Sequence, residues 1–221
     1  MLLDLFIGTH TVYAILRPMN VDEKLVARIS RENRGAGFDT IRHVLYWNLI
    51  QELVKIVADD DCRVPSIHNL RRQFEDGGVK AVFQKKYSAW GSNTKESDPS
   101  DTKEFWKCKS LEHEQSRENE FDSLYDKAMN ESAELLSSAA LSGMKTVRDK
   151  LLAHNELKLQ NGSYQFVDIR SFGLKYGDER ALLEKATDIF NSFFALISRA
   201  SFDWDRSKSM MEREAKLFWK E

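Results

Sequence analysis

Residues 178–197 read DERALLEKATDIFNSFFALI. Leu182, Leu183, Ala186, Ile189, Phe190, Phe193, Phe194 and Ile197 recur at helical spacing over five turns, and Asp178 stands where an N-cap is expected. A helix this apolar must sit inside a bundle, so this stretch sets the fold class. Upstream of it, Leu157–Gln160 and Ser163–Val167 flank Asn161-Gly162, the strongest short cue for a β-hairpin. Downstream, residues 206–219 form a last amphipathic helix. The expected fold is therefore an all-α helical bundle with one small β-hairpin near 157–167.

The helical reading extends towards the N-terminus. Residues 2–17 predict a first helix stopped by Pro18. Asn20 with Glu23 gives a capping box for a second helix, and the glycines at 35 and 37 predict a break. Asp39 is expected to cap a helix with Ile41, Val44, Leu45, Leu49, Leu53 and Ile56 on one stripe, ending near Asp59-Asp60-Asp61. Ser66 is expected to cap a helix interrupted at Gly77-Gly78 and ending near Trp90. Residues 91–101 contain Pro99 and almost no apolar side chain, which predicts a flexible loop. Asp101 with Glu104 then opens about fifty helical residues to His154, as one helix or as two broken between 110 and 120. The whole is expected to be a single domain over 1–221, with an N-terminal helical part (1–100) and a second part (101–221).

Composition narrows function. The 221 residues are 42% hydrophobic, with 33 basic against 35 acidic side chains, a net charge of −2. That excludes a disordered chain and a polycation coating nucleic acid through bulk charge. Cys62 and Cys108 form no CxxC pair and have no histidine at ligand spacing, which argues against a zinc site. Two isolated thiols fit a reducing cytoplasm better than an oxidising compartment. The apolar N-terminus carries Asp4, His10 and Arg17 and lacks a basic leader, so it reads as a core helix, with no membrane association. No phosphate-binding loop, dinucleotide fingerprint or nucleophile elbow occurs; no cofactor is expected.

One segment carries chemistry: Arg148-Asp149-Lys150-Leu151-Leu152-Ala153-His154-Asn155-Glu156. It ends a helix whose buried positions are expected to be Ala140, Met144, Val147 and Leu151. On an ideal helix Arg148 and His154 diverge by about 120° and lie about 9 Å apart along the axis, so both can flank one groove. The pair permits metal-free cleavage of RNA. Histidine can exchange a proton with a 2′-hydroxyl or a leaving oxygen. A fixed guanidinium can hold the phosphate and its developing charge. Asp149 can orient Arg148. A symmetric dimer would bring a second histidine. The plainer reading is a surface ion pair and a histidine at a helix C-terminus.

The segment Arg148 to His154, with a polar residue following, resembles the signature of the HEPN superfamily, and especially its abortive-infection type. The resemblance is sharp over about ten residues and looser over about 101–200. It implies an α-helical homodimer acting as a metal-independent endoribonuclease on RNA, often as a toxin or phage-defence effector with an antitoxin partner. It implies that Arg148 and His154 are catalytic and that Asp149 and Asn155 support them. One toxin branch of the superfamily carries a modifiable Tyr two positions after the His; Glu156 stands there in this chain. Some HEPN domains are silent and only bind nucleotide, RNA or a partner protein.

Two charged stretches complete the reading. Residues 63–90 carry Arg63, Arg71, Arg72, Lys80, Lys85 and Lys86 against Glu75 and Asp76, interleaved with Phe74, Phe83, Tyr87 and Trp90. Arg71, Arg72, Lys85 and Lys86 are the candidate RNA contacts; a core helix pair with a solvated basic face is the plainer alternative. Residues 112–134 carry eight acidic residues against Arg117 and Lys127. They read as the outer face of a helix, or as a surface that receives a basic antitoxin. His43 is expected to be a hydrogen-bonded packing residue.

Overall fold

The structure is a computed structural model. It describes residues 1–31, 34–89, 103–152, 157–160, 163–166, 172–175 and 177–220, with backbone alone over 103–107, 151–152, 157–160 and 163–166. The loop expected over 91–101, the Asp101–Glu104 capping box and the Asn161-Gly162 turn lie outside the described residues. Nine α-helices are described: α1 (Leu2–Val21), α2 (Glu23–Arg31), α3 (Gly35–Ala58), α4 (Ile67–Phe74), α5 (Gly77–Ser88), α6 (Lys103–Leu136), α7 (Ala139–Val147), α8 (Asp178–Ser198) and α9 (Trp204–Phe218). Strands β1 (Leu157–Gln160) and β2 (Ser163–Phe166) pair antiparallel, with Leu157 opposite Phe166 and Gln160 opposite Ser163.

Helix α8 is the hub of the bundle. It packs against α1, α3, α4, α5, α6 and α7. Leu183, Ala186, Ile189, Phe193 and Leu196 are buried on it, as its sequence demands. Phe190 stacks on Phe6 of α1 with ring centroids 4.8 Å apart, and Phe193 meets Phe74 of α4 at 5.5 Å. Burying such rings supplies most of the cohesion, since each is worth about 3–5 kcal/mol against truncation. The first residue of the helix is Asp178 itself. Gly177, at φ 102°, takes the N-cap position, and the Asp178 carboxylate accepts from the Lys175 amide. Only a residue that tolerates positive φ can make that entry.

Several helix boundaries differ from the sequence expectation. Pro18 does not stop α1, which runs on to Val21 with the Asp22 amide bonded to Pro18 O. The extension seats Met19 in a second buried cluster with Leu25 and Phe38, and that burial outweighs the lost backbone bond. Asn20 therefore lies within α1. The cap of α2 is Asp22, whose Oδ1 accepts from the amides of Lys24 and Leu25. Helix α3 starts at Gly35 rather than after Asp39, and Asp39 instead pairs with Arg42 at 2.9 Å. Its Leu49, Leu53 and Ile56 are buried, whereas Ile41 and Val44 are 51% and 60% exposed. His43 is exposed too, edge-on to Trp47.

The long helical stretch before the strands breaks at Ser137-Ser138, not between 110 and 120. Ser138 is the reason: its Oγ accepts from the Leu141 amide and caps α7. The polar run from 110 to 120 stays helical, supported by pairs such as Lys109–Glu112 and Arg117–Glu120. Ser66 caps α4 through the Asn69 amide, and Asp76 caps α5 through the Gly78 amide. Among the described residues, no helix is long and apolar enough to cross a membrane.

Candidate functional site

Helix α7 delivers Arg148. Met144 and Val147 are fully buried, Ala140 is half-buried, and α7 packs on α3 and α8. Gly143 faces the chain just before α8: a Cβ there would lie 3.0 Å from both Phe172 O and Leu174 Cδ2. The base of Arg148 is thus held from two sides. At Arg148 the backbone amide is shared between Met144 O and Lys145 O, and residues Arg148–Leu152 continue as a π-helical turn. That turn packs on α7 and α3. Such wide turns bond i to i+5 and recur at functional sites. The ideal-helix projection between positions 148 and 154 therefore does not hold over this turn, because each residue turns through less than in an α-helix.

The Arg148 Nε donates to Asp149 Oδ1 at 2.7 Å. The two side chains are 38% and 58% exposed. Asp149 thus occupies one edge of the guanidinium and leaves the Nη groups without a hydrogen bond among the described residues, open to a phosphate. His154 and Asn155, expected to complete the site, lie outside the described residues, as does Glu156.

The basic stretch divides. Arg71 pairs with Glu75 on α4. Arg72, Lys85 and Lys86 are exposed and make no ion pair among the described residues. Of the interleaved aromatics, Phe74 and Tyr87 are buried and offer no stacking platform, and Phe74 packs on Phe83, Tyr125 and Phe193; Trp90 lies outside the described residues. Helices α4 and α5 pack on α6 and α8, so these cations are carried by contacts other than those that hold Arg148. On the acidic face of α6, Glu120 bonds the Tyr87 hydroxyl, and Asp122 pairs with Lys80 and accepts from Gln84.

A polar cavity that the sequence reading missed lies between α1, α8 and α9. It has a volume of about 80 Å³ and is lined by His10, Tyr13, Arg17, Arg180, Glu184, Lys208 and Glu212, among others. His10 is buried against the Trp204 ring, with its Nε2 2.8 Å from Thr187 Oγ1. Burial, with help from the Lys208 charge and against Glu184, lowers its pKa to about 4. Burial likewise raises the pKa of Tyr13. A signal was present: His10, Tyr13 and Arg17 stand at i, i+3 and i+7 in a largely apolar helix, which places them on one face. Cys62 and Cys108 are free and exposed. No cluster of metal-ligating side chains occurs among the described residues.

The HEPN_AbiU2 (AbiU2) family model matches residues 2–218. The chain belongs to the HEPN_AbiU2 family. No curated protein and no solved structure matches it. The HEPN_AbiU2 match begins at residue 2, whereas the resemblance read from the Arg148–His154 segment is faint before residue 100. Helices α1–α5 are therefore part of the family pattern, and the π-helical turn bearing Arg148 and Asp149 falls well inside it.

Proposed function

We propose that this protein is a metal-independent endoribonuclease and an abortive-infection effector of the toxin type, working as a homodimer in the cytoplasm. The observation that carries the reading is Arg148, oriented by Asp149 on a π-helical turn at the end of a buried helix, in a chain of the HEPN_AbiU2 family. The Arg148 Nη groups bind the scissile phosphate and hold the charge that develops on it. His154 takes the proton of the 2′-hydroxyl. The 2′-oxygen then attacks phosphorus, the bond to the 5′-oxygen breaks, and His154 of a second protomer returns a proton to that oxygen. The products are a 2′,3′-cyclic phosphate and a 5′-hydroxyl. Asn155 supports His154, the exposed Arg72, Lys85 and Lys86 with Arg71 draw in the RNA backbone, and an antitoxin protein is the expected restraint.

Purified protein incubated with RNA in a chelator tests the reading. Cleavage should persist, yield cyclic-phosphate ends, and vanish in both Arg148→Ala and His154→Ala. Equal cleavage by these variants and the parent would refute it.

A further inference from the structure

We propose that the cavity between α1, α8 and α9 binds a phosphate monoester, with its terminal oxygens held by Arg17, Arg180 and Lys208. These three cations line one cavity with two carboxylates, Glu212 and Glu184, which leaves a formal charge of +1 when His10 is neutral. Lys208 makes no ion pair among the described residues and approaches closely enough to disfavour a proton on His10. The two arginines are paired only loosely. Arg17 meets Glu212 and Arg180 meets Glu184, each at 2.8 Å, with every partner between 43% and 54% exposed. Pairs this exposed contribute little, so an incoming phosphate anion can take the guanidinium edges from them. A phosphate presents three terminal oxygens to three cations, and the guanidinium fork matches it in two bonds at a time.

The uncharged wall fits the same ligand. Thr187 Oγ1 donates to Leu183 O at 2.7 Å, so in its contact with His10 the hydroxyl oxygen accepts and Nε2 carries the ring hydrogen. Nδ1 is left with its lone pair, an acceptor for the P–O–H of a monoester in its singly ionised form. The Tyr13 hydroxyl, held protonated, supplies a further donor. The ester substituent has room as well. A groove of about 640 Å³ adjoins the cavity, shares Arg17 and Glu212 with it, and runs past Pro18 and Leu25 to Trp219.

Calorimetric titration of the full chain at pH 7 tests this site, with inorganic phosphate and phenyl phosphate as probes. Both should bind saturably, phenyl phosphate the more tightly. Lys208→Ala and Arg180→Gln should each weaken them by about tenfold, and Arg213→Ala, an exposed cation on α9 outside the cavity lining, should leave them unchanged. Neither substitution threatens folding, since Arg180 is exposed and Lys208 only half-buried. Absence of saturable binding, or equal affinity in the Lys208 and Arg180 variants, overturns the proposal. A third arm identifies the source of the phosphate. If a 5′-phosphorylated oligoribonucleotide outcompetes its 5′-hydroxyl twin, and Lys208→Ala abolishes the preference, the site takes RNA ends. If the twins bind alike while phenyl phosphate still binds, it takes a small phosphorylated molecule.

Discussion

Thr187 Oγ1 sits 2.8 Å from His10 Nε2 while giving its own hydrogen to Leu183 O. The pair ties α1 to α8 through a neutral imidazole whose tautomer the threonine dictates. A proton added to that ring would be a buried charge facing Lys208, with Glu184 offsetting it in part.

Stability should therefore fall on acidification. The folded pKa of His10, about 4, lies below the ordinary value of 6.5. Between these values the unfolded chain binds a proton that the folded chain excludes. The stabilisation is complete above pH 6.5 and is lost as the pH falls towards 4, by about 3 kcal/mol in all. Urea midpoints measured from pH 7 to pH 4 should show this decline. His10→Gln keeps a donor towards Thr187 but does not titrate, and should flatten this part of the curve. An unaltered curve in the variant would assign the decline to other groups.

Asp149 should matter to the rate far less than Arg148. Its bond to Arg148 Nε joins two exposed side chains, a class of pair worth at most about 1 kcal/mol. Asp149→Ala should slow RNA cleavage by no more than about fivefold, with the melting temperature unchanged. A loss as deep as that of Arg148→Ala would mean that Asp149 takes part in proton transfer.

Gly143→Ala pits two effects against each other. Alanine gains about 1 kcal/mol of helix propensity over glycine. The new methyl would press on the Phe172 carbonyl and the Leu174 side chain, and overpacking of this kind costs about 1–3 kcal/mol. The backbone carbonyl cannot swing away as a side-chain tip could, so the net effect should be destabilising, by up to about 2 kcal/mol in denaturant titration. RNA cleavage should fall alongside, because α7 positions Arg148.

Pro18→Ala should act in the opposite direction. The proline lies inside α1, where it removes a backbone donor and crowds the preceding turn. Restoring that bond should stabilise the protein by about 1–3 kcal/mol, read as a higher midpoint. A lower midpoint would show that the proline ring is needed where α1 meets α2.

The apolar pattern of residues 182–197 makes the bundle legible by itself, since a helix with that many large side chains has no stable place outside a core. The caps at Ser66 and Asp76 sit at sharp local boundaries, and Ser66 is readable from its side chain alone. The break before α7 is not, because Ser137-Ser138 offers neither glycine nor proline and acts through one hydroxyl. Pro18 misleads because a local penalty says nothing of the burial of Met19 that offsets it. Ile41 and Val44 show the same limit from the other side: periodicity reveals which face of α3 is apolar, not whether a neighbour covers it. At the candidate site, Arg148 and Asp149 are legible as a pair, but the change to a π-helical turn beneath them is not. Its cause is a backbone pattern that no residue type announces.

The contact of Gly143 with Phe172 and Leu174 closes a ring in the chain. The described residues between these two points include the Arg148 turn, which itself packs on α3, and both strands, and the chain is back against α7 at Phe172 and Leu174. The cost of closing such a ring grows only slowly with its length, by about 0.6 kcal/mol per doubling. Loop closure alone therefore sets only a weak limit on the length of chain between Gly143 and Phe172.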